Sequence, residues 1–102
     1  GADFAHVGPR FGDPNPLDAV ARQGLAHRDH ASIAYMHTLD ARGFYEHVRE
    51  DLDVRRVCGL APIYAALRVL PKTARGSELH YAQCIDPVEG SIVSHASVAF
   101  YE

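Results

Sequence analysis

Three stretches decide how this chain is read: Ile63-Tyr64-Ala65-Ala66-Leu67-Arg68-Val69-Leu70, Glu78-Leu79-His80-Tyr81-Ala82-Gln83-Cys84-Ile85, and Ser91-Ile92-Val93-Ser94-His95-Ala96-Ser97-Val98-Ala99-Phe100-Tyr101. Successive side chains on a strand point to opposite faces, so apolar residues two apart mark a half-buried strand. Ile63, Ala65, Leu67 and Val69 share one face of the first stretch; Leu79, Tyr81 and Ile85 one face of the second; Ile92, Ala96, Val98 and Phe100 one face of the third. Turn residues separate them, Pro71 and Gly76 in the first gap and Pro87 and Gly90 in the second. Each gap suits a hairpin with a loop. The pattern predicts an antiparallel meander with one apolar face.

That face needs a cover, and the N-terminal half is the candidate. The predicted fold class is therefore α+β, an N-terminal helix packed across an antiparallel β-sheet. Asn15 and Pro16 read as a helix start, with Asp18 complementing the positive end. Leu17, Val20, Ala21, Gly24, Leu25 and Arg28 recur at helical spacing. Residues 31–39 fit alternation and helix equally well, and continuation of the helix is favoured, giving a helical segment over 16–39. Residues 40–43 form a break. Phe44, Val48 and Leu52, at steps of four, then allow a short amphipathic helix, with a charge-decorated strand as the alternative. Arg49, Glu50, Asp51, Asp53, Arg55 and Arg56 read as a solvated face. Residues 1–15 hold Gly8, Pro9, Gly12 and Pro14, and read as a flexible arm. Residues 44–102 are assigned mainly to the sheet, and the whole chain to one domain.

With 102 residues, the chain is long enough for one core without metal or several disulfides. The net charge of -3, with both signs interspersed, supplies no basic stripe for a phosphate backbone, so nucleic acid is not an expected partner. No apolar run approaches the roughly 18 residues of a membrane helix, and the start lacks a signal-peptide layout. The two cysteines, Cys58 and Cys84, lack metal-type spacing with each other. Both read as packed free thiols, with a Cys58–Cys84 disulfide, which would argue for an oxidising compartment, as the alternative, so the compartment stays open.

The seven histidines raise the question of metal or acid–base chemistry. His27 and His30 would share a helical face, with His37 further along, but no carboxylate or cysteine stands at a matching step; Asp29 points off that face. His80 and His95 fall in the last two predicted strands and are placed on one side of the sheet, where alternation alone already asks for polar residues. No Gly-rich phosphate loop, nucleophile elbow or Cys-x-x-Cys is present. The residues motivate no cofactor and no catalytic set.

Arg55-Arg56-Val57-Cys58-Gly59 lies between the charged stretch and the meander, and Gly59 suits the positive backbone angle of a hairpin tip. In that order of elements the chain resembles the cystatin superfamily. Val20-Ala21-Arg22 followed by Leu25 is similar to the Leu-Ala-Arg-Phe-Ala-Val helix motif of plant cystatins; Ile63-Tyr64 followed by Leu67 is similar to the strand after the first hairpin. Val57 and Gly59 match the Gln-Val-Val-Ala-Gly type hairpin. The resemblance implies a non-enzymatic domain that binds a protein, a papain-like cysteine protease, through a wedge. Gly8 and Gly12 would mark its arm, Arg55, Arg56, Val57, Cys58 and Gly59 the first hairpin, and Pro87 and Val88 the second. Two other readings stand beside it. One is a small-molecule-binding or enzymatic helix-on-curved-sheet domain whose pocket uses His80, His95, Tyr81 and Tyr101. The other is a homo-oligomeric module, such as a homodimer, joined through the open sheet.

Overall fold

A computed structural model describes residues 2–50 and 52–102. The fold is α+β. Strand β1 (Ala2–Val7) leads through a 3₁₀ turn (Pro9–Phe11) into α1 (Ala19–His37), α2 (Ala41–Arg49) and α3 (Leu60–Val69). A hairpin of β2 (Arg75–Ile85) and β3 (Ile92–Tyr101) closes the chain. The sheet is antiparallel with the order β1-β3-β2, so the last strand lies in the middle.

The β2–β3 hairpin and its 86–90 turn follow the alternation and turn residues. The first predicted strand does not: 63–70 belongs to α3. Leu60, Ile63, Tyr64 and Leu67, at steps of three, four and seven, are the α3 residues that pack on the core, while Ala65 and Val69 are exposed. The period is helical, and Pro62 falls in the first turn where its missing N–H costs nothing. The third strand comes instead from the predicted flexible arm. Phe4, Ala5 and Val7 are buried there against β3.

Helix α1 continues to His37 as favoured, but it is capped by Asp18, whose carboxylate accepts the Ala21 N–H, and not by Asn15. Its buried stripe is Leu25, Asp29, Ser32, Ile33 and Met36, a set that repeats at steps of three and four. Val20 is outside it and exposed. Asp40 caps α2 in the same manner through Gly43 N–H, which turns the predicted break into a helix start. The helical reading of the Phe44 segment holds. Phe44, stacked on Phe4 at 6.1 Å between ring centroids, joins Ile33, Met36, Val48, Val57, Leu67 and Ala96 in the main core.

The charged stretch is only partly solvated. Arg55 is 3% exposed and bonds Asp29 Oδ1 at 2.7 Å through Nη1 and Ser32 Oγ at 2.7 Å through Nη2. The Tyr81 hydroxyl donates to the other Asp29 oxygen. Burial, then that hydrogen bond, holds the Tyr81 phenol proton above its ordinary range. Asp51, read as part of the same solvated face, lies outside the described residues. Among the described residues no helix is long and apolar enough to cross a membrane.

Candidate metal centre

Among the described residues the helices meet the sheet on the side of Phe4, Tyr81 and Ala96, while His80 and His95 lie on the other. On β1 the residues Asp3 and His6 stand three apart, a spacing that places side chains on opposite faces of a regular strand. The pairing with β3 slips between them, Asp3 opposite His95 and His6 opposite Val93. That bulge puts an extra residue between them and returns both to one side, while Phe4 and Ala5 are both buried beneath. Ala5 N–H, displaced from the ladder, donates to Ser94 Oγ at 2.9 Å.

Cys58 comes from the segment joining α2 to α3. This segment carries non-glycine residues at positive φ, Leu52, Asp53 and Arg56 at 60°, 55° and 52°. Such conformations persist when surrounding bonds over-determine them. Here Asp53 accepts the Val57 N–H at 2.9 Å, and the buried Arg55 side chain anchors the segment to α1. Arg55 O accepts the His6 N–H at 2.7 Å. Arg56 binds β1 twice more: its guanidinium donates to His6 O at 3.1 Å, and its carbonyl accepts from His6 Nδ1 at 3.0 Å. The same guanidinium pairs with Asp13, whose carboxylate also accepts the Gly8 N–H.

The result is a cluster of Asp3, His6 and Cys58, each offering a donor atom within 4.8 Å of the others. The Cys58 thiol also points at Asp3 O, at 3.7 Å. A carboxylate oxygen, an imidazole nitrogen and a thiol sulfur are suitable ligands for a first-row transition cation. The state of His6 supplies an independent test of fit. Its Nδ1 faces two carbonyl oxygens, Phe4 O at 3.1 Å and Arg56 O at 3.0 Å, and so carries the proton as donor to both. Nε2 is then the nitrogen with the free lone pair, the usual state of a metal-binding histidine with a backbone partner behind it. The ring is held on its other side by an edge contact with Phe11 at 5.4 Å. Asp3 and Cys58 are exposed, so the cluster opens to solvent.

Of the residues expected at the wedge, Gly8 ends β1 buried against Ser91 with φ of 111°, and Gly12 closes the 3₁₀ turn with φ of 97°. Val57 lies in the core. Gly59 caps α3 at an ordinary φ of −78°, so no hairpin tip exists there. Pro87 and Val88 are exposed in the β2–β3 turn. Arg55, expected at an exposed tip, is drawn inside by Asp29. Cys58 alone of this set enters the cluster. Both cysteines are free and exposed, against the expectation of packed thiols. His30, one of the helix histidines, bonds Glu78 at 2.8 Å. His80 and His95 do share a face, with ring centroids 6.0 Å apart. Asp3 and His6 were missed because a three-residue step on a strand carries no signal unless the bulge is known.

The fold is thus an α+β domain in which these three donors form a candidate metal site. The chain matches the Memo-like protein family over residues 1–99 and belongs to that family. No curated protein matches it significantly. Family membership overturns the cystatin resemblance and the protease-inhibitor function drawn from it.

Proposed function

We propose that the chain carries the metal-binding part of an enzyme active site, with Asp3, His6 and Cys58 as ligands. The observation that carries this reading is the convergence of three chemically different donors from β1 and the α2–α3 segment, with the His6 ring locked in the tautomer that leaves Nε2 available. Three protein ligands with solvent access match catalytic metal sites, which keep a position for water or substrate; structural sites are closed by a fourth ligand. A carboxylate and a thiolate balance the charge of a divalent cation. Such a cation supplies Lewis-acid polarisation to a molecule occupying the open position.

The chain's own residues do the positioning. Arg56 O fixes the His6 ring, the Arg55–Asp29 pair fixes the segment that bears Cys58, and the β1 bulge presents Asp3 beside His6. The open face of the sheet gives a small molecule its approach. This favours the enzymatic reading of a helix-on-sheet domain, with the site on β1.

Metal binding tests it. Cobalt(II) added to the purified chain should give thiolate-to-metal absorption that Cys58→Ser diminishes, and His6→Gln should weaken binding by about tenfold or more. Affinity for cobalt(II) and zinc(II) unchanged in both variants would sink the reading.

A further inference from the structure

We infer that the apolar cavity beside the open edge of β3 receives an extended polypeptide segment, added antiparallel to β3 in line with β1 and carrying apolar side chains at alternate positions. The site lies on the core side of the sheet and uses none of Asp3, His6 and Cys58, so it does not depend on the metal reading.

The strand register leaves this edge open. Along one side, β3 is paired with β2 as far as Tyr101, which stands opposite Arg75. Along the other, the pairing with β1 runs from Ile92 to Ala96, opposite Ala2. Among the described residues no backbone group pairs with that second edge from Val98 to Tyr101. An unpaired strand edge presents N–H and C=O groups in a row that a further strand satisfies.

The cavity lies where the side chains of such a strand point. Its volume is about 270 Å³, and its lining includes Phe4, Met36, Ile63, Ala66, Val98 and Phe100. Phe4 of β1 borders it and no residue of β2 does, which places it on the β1 side of β3. Val98 and Phe100 project into it from one face of β3. Residues directly opposite in an antiparallel pair share a face, so two residues of the added strand, one opposite Val98 and one opposite Phe100, enter the cavity together. The residue between them points to the other face and is polar. Helix α3 leaves this space because it packs chiefly on α2, and at the rim it offers only the short side chains of Pro62 and Ala66.

The lining side chains carry no hydrogen-bonding group, so water is a poor occupant and branched aliphatic side chains are good ones. A strand docked in this way takes affinity from main-chain bonds and specificity from the cavity.

The probe is a capped peptide, Lys-Thr-Val-Thr-Val-Thr-Lys, titrated into the whole chain. Met36 is the only methionine, so the carbon-13 signal of its methyl group reports on the cavity directly. A saturable shift of that signal and a one-to-one complex by light scattering are expected. Replacing either valine of the peptide by alanine should weaken binding about tenfold. N-methylation of one alternate set of peptide residues should abolish binding while N-methylation of the other set does not, because the N–H groups of a strand alternate between its two edges. Ala66→Phe, which narrows the rim, should weaken binding about tenfold or more, with thermal melting to verify that the variant is folded. A Met36 methyl signal indifferent to the peptide would overturn the proposal, as would a dimer whose second copy excludes the peptide. Binding untouched by N-methylation of either set would reduce the contact to apolar adsorption and overturn the added strand.

Discussion

The Nδ1 of His6 lies 3.0 Å from the carbonyl oxygen of Arg56, one of the bonds that join the first strand to the segment that bears Cys58. The Arg56 guanidinium returns to His6 O and to Asp13, so a single residue touches β1 by both backbone and side chain. The ligand spacing depends on that clamp.

Arg56→Ala keeps the carbonyl but removes the guanidinium that holds it in place. Metal affinity is expected to fall by about 10–100-fold, the usual effect of losing an outer-shell partner. Competition titration measures it, and Arg56→Lys, which cannot reproduce the fork on Asp13, should recover only part. Equal affinity in wild type and Arg56→Ala would show that the clamp is irrelevant to the site.

Asp29 and Arg55 are both buried, 0% and 3% exposed, and pair at 2.7 Å. Arg55→Met leaves the Asp29 carboxylate without its cation and is expected to cost about 3–5 kcal/mol in urea unfolding. The double variant Asp29→Leu/Arg55→Met should lose less than Arg55→Met alone. Strict additivity of the two single changes would argue against a coupled pair.

The Arg56 guanidinium, with Gly8 N–H second, holds the Asp13 carboxyl below its ordinary value. A depressed acid stabilises the fold above its unfolded-state value, and that contribution is lost as pH falls through the lower folded-state value. Stability should therefore decline below about pH 4, and Asp13→Asn should remove its share of that decline. Urea midpoints between neutral and acid pH measure the slopes; parallel slopes would contradict the prediction.

Gly8 adopts φ of 111°, and a Cβ there would meet Ser91 Cα at 2.6 Å. Gly8→Ala is expected to destabilise by more than about 1 kcal/mol, because neither the backbone angle nor the space accepts a side chain. Gly12, also at positive φ but with nothing within 4 Å, should tolerate alanine better. A thermal melt of the two variants orders them.

The hairpin of β2 and β3 was legible because local alternation and turn residues agree there. In the α1 continuation and the α2 segment apolar residues at steps of three and four left a strand open as the alternative, and the helical reading of each is the one that holds. The 63–70 segment misled because Ile63, Ala65, Leu67 and Val69 alternate while Leu60, Ile63, Tyr64 and Leu67 keep helical period. Two short-range patterns overlap, and only burial against Phe4 and Ala96 selects one.

The charged stretch misled for another reason. Arg55 has its partner 26 residues away on α1, and no local pattern marks a charge that is to be buried with an opposite one. The same holds for the candidate site. Cys58 was singled out as part of a loop, Asp3 and His6 were not, and nothing in their spacing connects them.

By itself the sequence determined the α+β class, the terminal hairpin and the first two helical segments, because these follow from apolar periods within a few residues. Only the tertiary structure decided that the N-terminal segment is a strand, that Arg55 turns inward, and that Asp3, His6 and Cys58 meet. Those outcomes depend on a bulge in one strand and on hydrogen bonds about fifty residues apart, and they exist only once the chain has closed on itself.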